Sequence, residues 1–132
     1  MKKIISANLA GQILLGALVL LLSIHTLIIV QVIPATIVWG GRGSADRSNL
    51  YQLEIIAMAG TMLITGIVIA KYNAINGRGA NRWAIIGIWV VFAYLVLNTL
   101  GNFASGGTVE MLVFGSMTIV MAFCALRMGL EK

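Results

Sequence analysis

The sequence predicts an all-α integral membrane four-helix bundle, a single domain over residues 1–132 with both termini cytoplasmic. Three observations carry that prediction. Residues are 60% hydrophobic and only 10% charged, against roughly 25% charged in a soluble domain, so a water-surrounded globule would lack polar surface. The apolar residues gather into four runs, about 9–33, 50–71, 83–103 and 109–126, each near the length that crosses a bilayer. The nine Lys and Arg fall at the ends of those runs, so topology explains the +5 net charge better than a nucleic-acid partner does.

The first run opens behind Met1-Lys2-Lys3 and imitates a secretory signal, but its 25 residues exceed the ~7–15 of a signal core. It reads as an uncleaved helix that stops at Pro34, because the residue before a proline is pushed out of the helical region. The second run starts behind Asn49-Leu50-Tyr51-Gln52, a capping-box pattern with Asn49 as the cap. Tyr72 to Gly79 is a polar, glycine-punctuated turn. The third run leads into a tight Ser105-Gly106-Gly107 return, and Arg127 and Lys132 close the fourth. The single cysteine, Cys124, excludes an intramolecular disulfide and any CxxC motif.

Four spans place the termini and the second connection on one side. That side holds Lys2, Lys3, Lys71, Arg78, Arg82, Arg127 and Lys132, and the other holds Arg42 and Arg47. Seven cations against two put the termini in the cytoplasm by the positive-inside rule. Trp39 and Tyr51 outside, with Tyr72 and Trp83 inside, suit aromatic belts at the two interfaces. So strong a bias excludes dual-orientation insertion as an antiparallel pair.

The polar residues of the spans gather toward the outer side. Glu54 lies about a turn inside span two, past the reach of the helix dipole if Asn49 is the cap. Asn98 and Asn102 sit one turn apart on a shared face of span three. Glu110 opens span four, where the dipole alone would favour a carboxylate by ~0.3–1 kcal/mol. His25 lies ~12–14 Å inward from Pro34 at the helical rise. Each has an ordinary role: interhelical glue for the asparagines, worth ~0.6 kcal/mol per bond, and a satisfied interior imidazole for His25. With no second histidine, no histidine-based metal site is expected, and no cofactor is implied. Met111, Met117 and Met121 read as packing filler. Between the first two spans, Trp39 is an interfacial anchor, and Gly40-Gly41 can turn backbone N–H groups toward an anion. Arg42 keeps its charge, so it would clamp a lipid phosphate or pair with Glu54 or Glu110.

Ile37-Val38-Trp39-Gly40-Gly41-Arg42, then Glu54, then Leu97-Asn98-Thr99-Leu100-Gly101-Asn102-Phe103-Ala104 with Glu110 after it, resembles the pattern of a family of small bacterial four-helix membrane proteins. The resemblance covers nearly the whole chain and implies a bacterial membrane location and four helices. It carries no activity, substrate or cofactor. The family's first motif continues with a bulky apolar residue where this chain has Gly43.

Three functions compete at this stage. The first is a binding or accessory protein whose outer-leaflet pocket (Trp39, Gly40, Gly41, Arg42, Glu54, Asn98, Asn102, Glu110) holds an amphipathic or anionic ligand such as a lipid headgroup. The second is a small proton-coupled transporter, with Glu54 titrating and His25 as relay, alone or completed by a homo-oligomer or membrane protein partner. The third is a membrane enzyme using Glu54 and His25 as acid and base. No nucleophile–base pattern supports the enzyme, and polar residues that stop halfway across favour binding over transport. Reporter fusions after Arg47 should read extracytoplasmic, and fusions after Gly77 and Lys132 cytoplasmic. A cytoplasmic signal after Arg47 would overturn the orientation.

Overall fold

The computed structural model describes residues 5–34, 47–79 and 82–131. Among them every regular element is helical: α1 is Ala7–Ile29, α2 Arg47–Ile75 and α3 Arg82–Ala104. The fourth helix opens as a π-helical segment, Glu110–Gly115, and continues as α4, Ser116–Gly129. Taking the π segment and α4 as one 20-residue helix, all four are long and apolar enough to span a membrane. Each packs against its sequence neighbours, and α1 closes the ring on α4. The pairing is antiparallel: the start of α1 meets the end of α2 at Gln12 and Tyr72, and the end of α1 meets the start of α2 at His25 and Glu54.

Helix ends are set by backbone hydrogen bonding more than by the proline. Ser6 caps α1, its hydroxyl accepting from Leu9 N–H at 3.1 Å. α1 then stops at Ile29, short of the expected boundary at Pro34. The Val32 N–H donates to Leu27 O (2.9 Å) and the Gln31 N–H to Ile28 O (2.9 Å), with Gln31 at φ 64°. This is the Schellman closure, which satisfies carbonyls that a helix end otherwise leaves bare. Gln31 pays for it with a left-handed backbone costing ~1–2 kcal/mol for a non-glycine residue. The same closure ends α2, where Arg78 N–H donates to Asn73 O and Gly77 N–H to Ala74 O, here with Gly77 at φ 73°. α2 therefore runs a turn beyond the expected end near Lys71. At its start it is already helical at Arg47, so Asn49 lies inside the first turn and does not cap it.

The two halves of the bundle differ. In the half that holds the termini, Ala10, Leu14, Val68, Ile88, Val91, Cys124, Ala125 and Met128 form a dry core with essentially no exposure. Close approach there depends on Gly11, where an added Cβ would lie 2.5 Å from the Tyr72 ring. Beneath this core the termini are bound together. Buried Arg127 donates from Nε to Ile5 O (2.9 Å) and from a terminal nitrogen to Glu131 (2.8 Å), while buried Lys71 donates to Glu131 O (2.6 Å). Both cations were expected only as orientation signals; they also close the bundle. Leu20, Ile56, Leu63, Val90, Leu97 and Leu112 point outward and are exposed, as a lipid-facing surface requires.

Gly11→Ala should destabilise the bundle by ~1–3 kcal/mol, the usual cost of overpacking. Gly16→Ala meets nothing within 4 Å and should be neutral or gain up to ~1 kcal/mol in helix propensity. Unfolding of both variants in mixed detergent micelles checks the contrast, and equal effects would remove the Gly11–Tyr72 approach from the packing account.

Candidate functional site

Above the dry core, all four helices surround a cavity of about 310 Å³. Leu18, Leu95 and Met121 belong both to the core and to the cavity wall, so they form its floor. Leu21, Ile64, Phe114 and Met117 extend the apolar wall. The polar lining is His25 from α1, Thr61 from α2, Tyr94, Asn98 and Asn102 from α3, Glu110 from the π segment and Thr118 from α4.

His25 is held by α2. Its Nδ1 pairs with Oε1 of Glu54, and its Nε2 lies 3.4 Å from Thr61 Oγ1. Thr61 gives its hydroxyl proton to Ala57 O at 2.8 Å, the back-bond a threonine makes inside a helix. With that proton engaged, the Thr61 oxygen is an acceptor facing the imidazole. Glu54 is 1% exposed, a depth at which an ionised carboxylate needs a partner. It is the eighth residue of α2 counted from Arg47, deeper than the fifth position an Asn49 cap would give. His25 is shallower than the sequence suggested. With α1 ending at Ile29, it stands four residues from the helix end, ~6 Å at the helical rise, which is why the two side chains meet.

The opposite wall joins α3 to α4. Asn102 Nδ2 donates to Asn98 Oδ1 at 3.4 Å and lies 3.5 Å from Thr118 Oγ1. Thr99 Oγ1 is 2.9 Å from the same threonine, and Thr118 passes its own proton to Gly115 O at 3.0 Å. The asparagines thus act as interhelical glue and as cavity lining at once. Glu110 is 6% exposed, and its Oε2 is a buried side-chain oxygen with no hydrogen-bond partner, alone in that respect among the described residues. π-helical turns are rare and frequent at functional sites; this one begins at Glu110.

Of the residues singled out by sequence, Asn98, Asn102, Glu110 and His25 share one cavity. Glu54 stands behind His25, outside the wall, and Trp39, Gly40, Gly41 and Arg42 lie outside the described residues, as does any pairing of Arg42 with Glu54. Sequence reasoning passed over Thr118, whose only signal was a hydroxyl inside an apolar run. No group of three or more His, Cys, Asp or Glu suited to a metal occurs among the described residues. No family model, curated protein or solved structure matches the chain.

Removing one member of a buried pair typically costs ~3–5 kcal/mol. His25→Ala and Glu54→Ala should each destabilise strongly, and the double variant should recover more than ~1 kcal/mol relative to their sum. Thermal unfolding of the three variants in lipid nanodiscs measures this, and strict additivity would remove the pairing.

Proposed function

We propose that the chain is a multi-pass binding protein of a bacterial cell membrane, with cytoplasmic termini and a pocket in the outer half of the bundle for a small amphipathic ligand. The observation that carries this reading is the cavity, which sets an apolar floor and wall beside a cluster of polar groups contributed by every helix. Ligand pockets have this composition, with a few placed polar groups in a mostly apolar lining. The orientation rests on the seven-to-two division of cations. An anionic ligand would call on Arg42; the described lining holds an acid, an imidazole paired with Glu54, hydroxyls and amides.

A proton-coupled carrier is the second reading, and the pairing of two titratable groups, His25 and Glu54, favours it. A carrier also needs a route to the far side. Below the cavity, Leu14, Val68, Ile88, Val91 and Ala125 are sealed against one another, which supports binding over passage. Native mass spectrometry of protein extracted from its own membrane should show a co-purifying small molecule or lipid. Asn98→Leu should lose that adduct while the melting temperature stays within a few degrees, because packed leucine costs little among helices in lipid. Equal adduct occupancy in parent and variant would remove Asn98 from the pocket.

A further inference from the structure

The hydroxyl protons of the cavity-lining threonines are already spent. Thr61 and Thr118 direct their hydroxyl protons to the carbonyls of Ala57 and Gly115, so neither hydroxyl is left to donate into the cavity. Asn102 directs its amide N–H groups to Asn98 Oδ1 and Thr118 Oγ1, so toward a ligand it offers its amide oxygen. Glu110 Oε2 is buried with no donor. Against these acceptors the wall offers Asn98 Nδ2 and the Tyr94 hydroxyl as donors. His25 is paired with Glu54 rather than with Glu110.

Resting on the pocket reading above, we propose that the ligand is an amine-bearing amphiphile, a protonated primary or secondary ammonium on an apolar body. Its N–H groups meet Glu110 Oε2 and the Asn102 amide oxygen, and its apolar body lies on Leu18, Leu95 and Met121. An ammonium brings several donors and no acceptor, which is the complement of this wall. A carboxyl inside a membrane protein is stabilised by a donor or an opposite charge, and an ammonium supplies both. The same chemistry occurs in a free lipophilic amine and in the headgroup of phosphatidylethanolamine.

The test uses octylamine, octanol and octanoate, which share one tail and differ in head, added to the full chain in phosphatidylcholine nanodiscs. Octylamine should bind roughly tenfold or more tightly than octanol, the range of a charge-assisted hydrogen bond, and octanoate should be weakest. Glu110→Gln should lose that advantage while still binding octanol. Gly101 lines the cavity with open space at its Cβ, so Gly101→Leu should abolish binding of octylamine and octanol and thereby place them. If octylamine affinity drops in discs containing phosphatidylethanolamine, the headgroup occupies the site; an unchanged affinity assigns a free amine. Octanol or octanoate equal to octylamine, with Gly101→Leu still blocking, overturns the amine and leaves the pocket. Absence of binding by all three overturns both. If Glu110→Gln does not fold, the ranking on the parent protein decides.

Discussion

Hydrocarbon offers a polar group no water, so every N–H, carbonyl and hydroxyl in the bundle must find its partner inside the protein. That constraint explains most of the described polar contacts. Ser23, Thr26, Thr61, Thr65 and Thr99 all return their hydroxyls to the carbonyl one turn back. Lys71 and Arg127, the buried cations, reach the backbone carbonyls of Glu131 and Ile5. α1 accepts a left-handed glutamine at position 31 so that its last carbonyls are covered. Set beside this thrift, the partnerless Glu110 oxygen stands out as a group kept for something else.

The two ends of the bundle solve the same problem differently. At the end holding the termini, long cationic side chains fold back onto main-chain oxygens, and the core above them is filled by Leu, Val, Ile, Met and Ala. At the other end the polar side chains are short, so they cannot reach the surface and must satisfy one another across helices. Short groups leave space between them. The cavity follows from that choice of side chain, and its floor is simply the top layer of the apolar core.

Much of the architecture was legible in the sequence because it follows from composition and run length. Four apolar runs led to four helices, and the glycine-marked turns at Gly77 and Gly106 adopt the positive φ that glycine permits. The clustering of Asn98, Asn102 and Glu110 toward one end of the bundle also showed in their positions along the runs, and they do line one cavity. Helix ends were harder. Pro34 is a loud signal, yet the closure at Gln31 depends on hydrogen bonds five residues apart that no residue type announces. Misplacing that end by a turn hid the meeting of His25 with Glu54, since depth decides which side chains can touch. The π segment was invisible for a related reason: nothing in Glu-Met-Leu-Val-Phe-Gly distinguishes a wide turn from an ordinary one.

The wide turn at Glu110–Gly115 also works as a phase adjuster. A regular helix advances ~100° per residue, so its two ends cannot be aimed independently once its sequence is chosen. A π-helical turn spends an extra residue in one revolution and breaks that dependence. Below it, Met121, Ala125 and Met128 keep step with the apolar core; above it, Glu110 faces the cavity. Losing one residue within the turn would keep every side chain type and most of the helix, yet swing the acid by ~100° toward a neighbouring helix or lipid. The site is therefore encoded partly in chain length, a variable that substitution leaves untouched and that a single-codon deletion changes at once.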